Sequence, residues 1–136
     1  MPSITVTTTI NSSIDKVWNA FITPEDIMQW NNASPDWHTP KASNNFIVGG
    51  EFSYTMAAKD GSFSFDFWGV YDNIIPHKLI EYTLGDGRKV SVVFEENNNA
   101  VMVTETFEAE SINPIEMQEA GWQAILNNFK NHLEIQ

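Results

Sequence analysis

The runs Phe52-Ser53-Tyr54-Thr55-Met56 and Phe63-Ser64-Phe65-Asp66-Phe67-Trp68-Gly69, joined through Asp60-Gly61, constrain this chain more than any other feature. Side chains alternate between the faces of a strand, so Phe52, Tyr54 and Met56 share one side. Phe63, Phe65 and Phe67 share one side of the following strand. Asp60-Gly61 suits a hairpin turn, because Gly takes positive φ without steric penalty. A sheet face this aromatic must be covered. The expected cover is the segment Pro114 to Leu133, where Ile115, Gln118, Trp122, Ile125, Leu126, Phe129 and Leu133 fall on one helical stripe and Glu116, Gln123, Asn127, Lys130 and Glu134 fall opposite.

The remaining segments fit that scheme. Ile4, Val6, Thr8 and Ile10 alternate with threonines as a half-buried strand. Asn11-Ser12-Ser13 offers an N-cap, and Ser12 with Asp15 resembles a capping box, ahead of Ile14, Val17, Trp18 and Phe21 at helical spacing. Thr23-Pro24-Glu25-Asp26 restarts a short helix, with Thr23 as N-cap and Pro24 at its first position. From Asn31 to Asn45 no period persists, and Pro35 and Pro40 mark a long loop in which Trp37 would act as a lid or anchor. Strands are expected over Phe46–Met56, Ser62–Ile75 with a bulge at Gly69, Leu79–Leu84, Lys89–Glu95 and Val101–Phe107. The expected fold is a single α+β domain over residues 1–136. It has a curved six-stranded antiparallel sheet around a long C-terminal helix spanning roughly 113–134, and two short helices after the first strand.

Composition excludes several function classes. The net charge is −11 with Arg88 the one arginine, so nucleic-acid binding through phosphate neutralisation is not expected. No run approaches the ~18 apolar residues of a membrane span. The chain has no cysteine, which removes disulfides, thiol nucleophiles and thiolate metal sites. A reducing cytoplasm is the compartment expected of a chain without cysteine, and the start, Met1-Pro2-Ser3-Ile4-Thr5, has neither the basic nor the apolar region expected of a secretory leader. His38, His77 and His132 stand far apart, so no metal site or cofactor is expected, and no G-x-S-x-G elbow marks a nucleophile.

At this level the chain resembles a known family. The residues that carry the resemblance are Ile14-Asp15-Lys16-Val17-Trp18-Asn19-Ala20-Phe21, Thr23-Pro24-Glu25-Asp26-Ile27 with Trp30, Val48-Gly49-Gly50-Glu51-Phe52, Gly69-Val70-Tyr71, Ile80-Glu81-Tyr82-Thr83 and Gly121-Trp122. Their order is similar to the helix-grip fold of the START-like superfamily, also called SRPBCC. Within it, the chain resembles the AHSA-type family, named after an activator of the ATPase of the ninety-kilodalton heat-shock protein. The resemblance implies a deep cavity between the curved sheet and the last helix, and a superfamily of lipid carriers, flavonoid binders and aromatic polyketide cyclases. One departure is Asn45-Phe46-Ile47-Val48, which lacks the basic residue that often precedes the Gly-Gly pair.

The expected function is therefore binding of a small hydrophobic, aromatic or lipid-like molecule. The candidate ligand-binding residues are Trp30, Trp37, Phe52, Tyr54, Met56, Phe65, Phe67, Tyr82, Gln118, Trp122 and Ile125. Tyr54 and Tyr82 offer hydroxyls for orientation. Gln118 interrupts the apolar stripe, so its amide must find a backbone group, a water or a ligand. Glu105 shares a strand face with Val101, Val103 and Phe107. Facing inward it would be a desolvated carboxyl with a raised pKa; at a solvated strand end, the reading the sequence favours, it is ordinary. Two rivals stand beside ligand binding: a stress-response co-chaperone module that docks on a chaperone ATPase, and a cyclase or hydratase using Glu105 or a tyrosine as acid or base. Enzymatic activity is the lesser expectation.

Overall fold

The structure is a computed structural model and describes residues 2–135. The elements run β1 (Ser3–Ile10), α1 (Ile14–Ile22), α2 (Pro24–Trp30), β2 (Trp37–Asn44), β3 (Glu51–Ala58), β4 (Ser64–Ile75), β5 (Leu79–Leu84), β6 (Lys89–Asn97), β7 (Ala100–Glu108) and α3 (Ile115–Glu134). The strands form one antiparallel sheet in the order β1-β7-β6-β5-β4-β3-β2, curled around α3. The sheet has seven strands rather than six.

The extra strand is β2, which lies where the sequence indicated a loop. It is an edge strand, paired only with β3, and its register shifts between His38 and Lys41. Pro40 sits in that shift, where a missing N–H is tolerated. A bulged edge strand has no sustained alternation for a pattern to reveal. The reverse correction applies to Phe46–Gly50, expected as the start of β3. Gly49 has φ +85, and a Cβ on Gly50 would sit 2.1 Å from the Asn45 carbonyl oxygen, so the chain turns tightly here before β3 begins.

Alternation otherwise places side chains as expected. In β1, Ile4, Val6 and Ile10 are buried, while on the outer face Thr5 and Thr7 bond Thr106 and Thr104 of β7 at 3.2 and 3.3 Å. Phe52, Tyr54 and Met56 of β3 lie opposite Gly69, Phe67 and Phe65 of β4. Gly69 is not a bulge, since the irregularity falls between Tyr71 and Asn73. Glycine is needed there because a Cβ would come within 2.8 Å of the Thr83 carbonyl and 2.9 Å of the Phe52 ring. Phe63 precedes β4 and is exposed rather than inward.

The helix starts differ in detail from the expected caps. Ser13, not Ser12, caps α1 by accepting from the Lys16 N–H. Thr23 stands at the N-cap position of α2, but its hydroxyl donates back to the Asn19 carbonyl at 2.6 Å. Pro114 is the N-cap residue of α3 and makes no side-chain cap. Leu126, Phe129 and Leu133 of α3 are buried, whereas Ile115 is exposed. On the helix's other side Gln123 donates to the Thr7 carbonyl and Glu134 accepts from the Asn11 N–H, tying α3 to β1. Phe21, Trp30 and Phe129 interlock at centroid distances of 4.8–5.5 Å, joining α1, α2 and α3 into one layer against the sheet.

Candidate functional site

Between the concave face of the sheet and α3 lies a cavity of about 390 Å³. Its sheet wall begins with Phe52, Tyr54 and Met56 of β3 and continues through Phe65, Phe67 and Tyr71 of β4. Ile80 and Tyr82 of β5 and Glu105 of β7 complete that wall. Gln118, Trp122 and Ile125 form the α3 wall, and Phe21, Trp30 and Asn31 close one side from the α1–α2 layer. Arg88, Glu110 and Asn113 bring polar groups to the lining.

Ten of the candidate residues read from the sequence converge on this cavity. Trp37 does not. It stands at the start of β2 and meets Phe63 and Phe65 edge to face at 6.1 and 6.2 Å, so it is no lid. Tyr71, Phe21, Ile80 and Asn31 also line it, although none is among the candidate ligand-binding residues. Tyr71 was legible, because it continues the alternation Phe65, Phe67, Gly69. The rings are mutually supported: Phe52 lies 4.9–5.4 Å from Tyr54, Tyr71 and Tyr82, and Trp122 stacks on Phe107 at 3.9 Å with an 11° tilt. Gly121 makes no close approach to another backbone, as a Cβ there would meet open space.

Most polar atoms around the cavity are already engaged. The Trp30 indole donates to the Ala20 carbonyl at 2.9 Å. Asn31 bonds Thr39 through its side chain. Gln118 is satisfied structurally: its amide nitrogen donates to the Glu110 and Asn113 carbonyls, and its oxygen accepts from the Glu110 N–H. It holds the segment leading into α3. The Tyr71 hydroxyl donates to Asn44 at 2.7 Å. Arg88 donates to Asp86 at 2.8 Å and to the Glu108 carbonyl.

Glu105 is the exception. It faces inward between Val6 of β1 and Val92 of β6, and only 8% of its surface is exposed. No side chain or backbone group among the described residues hydrogen bonds to its carboxyl, which borders the cavity. The solvated-strand-end expectation is thus corrected: Trp122 of α3 covers this end of the β7 face by stacking on Phe107. Desolvation pushes the Glu105 pKa up to about 8, which keeps the acid largely protonated at neutral pH. Burial likewise raises the phenol pKa values of Tyr54 and Tyr82, and the Glu105 charge adds to the effect at Tyr82. The Tyr54 hydroxyl hydrogen bonds Tyr71, so the cavity presents broad aromatic faces with the Glu105 carboxyl and the Tyr82 hydroxyl as its unspent polar groups. Such a set can bind, orient, and give or take a proton.

Among the described residues no His, Asp and Glu side chains converge to hold a metal ion, and no helix is long and apolar enough to cross a membrane. His77 lies 3.4 Å from Asp15, and His132 lies 2.8 Å from Asp26, both away from the cavity.

Comparison with known proteins bears on this geometry. An AHSA1-like protein from Aeromonas hydrophila is similar over 98% of this chain and 93% of its own, with 40% identity and a TM-score of 0.92. The protein Chr148 from Cytophaga hutchinsonii is 52% identical over 98% of this chain and 92% of its own, with a TM-score of 0.85. At 20% identity, where only the fold is shared, the Aha1 dimer from Colwellia psychrerythraea aligns over 99% and 98% of the two chains with a TM-score of 0.78. No protein of curated function matches. The family described as activator of Hsp90 ATPase homolog 1-like protein matches residues 11–134. The chain belongs to that family, as its sequence resemblance implied.

Proposed function

We propose that this protein binds a small, planar, largely apolar molecule in the cavity between the sheet and α3. The observation that carries the reading is the cavity itself, about 390 Å³ walled by Phe52, Tyr54, Phe67, Tyr82 and Trp122. That volume lies within the range of ordinary small-molecule sites, and the mix of apolar walls with a few unspent polar groups is what such sites require. Burying about 200 Å² of apolar ligand surface contributes roughly 5 kcal/mol before the entropic cost of association. Aromatic, polyketide-like or acyl ligands all suit these walls. The lack of cysteine suits a reducing compartment such as the cytoplasm.

Native mass spectrometry of freshly purified protein tests this reading. A co-purifying small molecule, released on denaturation, is the expected result. An empty protein that also takes up no aromatic probe would overturn it.

A second reading, docking on a chaperone ATPase, is supported by the description the family carries. Its test is whether the protein changes the turnover of a purified Hsp90-type ATPase. A cyclase- or hydratase-type reaction has one supporting observation, the uncharged acid in the cavity.

A further inference from the structure

Glu105 is a buried carboxyl bordering an aromatic cavity, with no hydrogen-bond partner among the described residues. Leaving such a group unpaired is unfavourable, and ionising it more so. Glu110 adds a second carboxylate to the lining, although one of its oxygens accepts from the Asn113 N–H. The one cation there, Arg88, is held by Asp86 and the Glu108 carbonyl. The chain as a whole carries −11. Tyr82, Phe67 and Trp122 line the same cavity, and aromatic rings are the kind of surface that attracts a positive charge.

We propose that the cavity takes an aromatic or polycyclic amine in its protonated form, and that the Glu105 carboxylate receives the ammonium group. The proposal rests on the cavity being a ligand site. The apolar body fills the space between Phe52, Phe67 and Trp122, and the ammonium donates to Glu105. Glu105 gives up its proton to solvent on binding, so each ammonium bound near neutral pH releases close to one proton. The other ionisable groups facing this space are the tyrosines of β3, β4 and β5, Arg88 before β6 and Glu110 before α3. β1 and β6 place Val6 and Val92 beside Glu105, and α3 contributes no charge to the wall.

The experiment compares naphthylethylamine, its uncharged analogue propylnaphthalene and the anionic naphthylpropionate, by calorimetry in buffers of different ionisation enthalpy. The amine is expected to bind tightest. It should release close to one proton at pH 7, and its affinity should rise about tenfold per pH unit up to pH 8, then level until the amine deprotonates near pH 10. Glu105→Gln should weaken the amine about ten- to a hundredfold, abolish proton release and leave propylnaphthalene unchanged. Proton release from the native protein tests the idea without any variant. Preferential binding of propylnaphthalene or naphthylpropionate, or amine binding without proton release, overturns this inference while leaving the cavity reading standing. Binding of none of the three overturns both.

Discussion

Replacing Glu105 by Gln isolates the energetic consequence of burying an acid in this cavity. The carboxyl has a pKa of about 8 in the folded protein against 4.5 for an ordinary glutamate. Between those values the folded state keeps a proton that the unfolded chain has released. The native protein therefore binds more protons than the unfolded one, and its stability falls as pH rises through this window. The loss begins near pH 4.5 and is complete a little above pH 8. A gap of this size corresponds to roughly 4–5 kcal/mol, and solvent entering the cavity trims that to about 3–4 kcal/mol. Gln keeps the shape and cannot ionise. The stability of Glu105→Gln relative to the native sequence should therefore rise steadily from pH 4.5 to pH 8 and stay level above it. Urea denaturation followed by tryptophan fluorescence measures that difference, and common titrations elsewhere cancel between the two proteins. A difference independent of pH between 5 and 8 would mean that Glu105 is an ordinary solvated carboxylate, and the reasoning would fail.

Three further substitutions test the walls of the cavity. Trp122→Ala removes a half-buried ring stacked on Phe107 and should cost about 2 kcal/mol, below the 3–5 kcal/mol of a fully packed core aromatic, because one side of the ring borders the hollow; a larger loss in chemical denaturation would indicate a filled interior. Gln118→Leu breaks the hydrogen bonds to Glu110 and Asn113, and should cost about 1–3 kcal/mol while exposing the Glu110 amide to rapid hydrogen exchange; unchanged protection would contradict the structural role of this amide. Gly69→Ala forces a methyl against the Thr83 carbonyl and the Phe52 ring and should destabilise by about 1–3 kcal/mol, measured as a lowered urea midpoint; an unchanged midpoint would show that the β3–β4 contact is looser than described.

The parts of the site that were legible in the sequence are those with regular periods on both sides of a contact. Alternation in β3 and β4 identified Phe52, Tyr54 and Phe67, and helical spacing identified Trp122 and Ile125. Their convergence followed once one element had to cover the other. What escaped lacked a period or depended on a distant neighbour. β2 is an edge strand broken by Pro40 and a register shift, so Trp37 gave no sign of belonging to a sheet. Gly50 forces a turn through its crowding against Asn45, a contact that no pattern of apolar residues encodes. For Glu105, alternation indicated which residues share its face but not whether water reaches that end of β7. The answer depends on the position of α3, whose start is fixed by Gln118.

The most direct test of a ligand-holding cavity is a two-dimensional amide and indole NMR titration with propylnaphthalene. Binding in the cavity should shift the Trp122 indole N–H and the backbone amides of Tyr54, Phe67, Tyr82 and Glu105, whose side chains all border the hollow. Asp66 and Trp68, which alternate to the outer face of β4, should stay in place. Shifts confined to that outer face, or to the exposed Ile112 and Met117 before and at the start of α3, would contradict a cavity that receives small apolar molecules and favour a surface that docks on another protein.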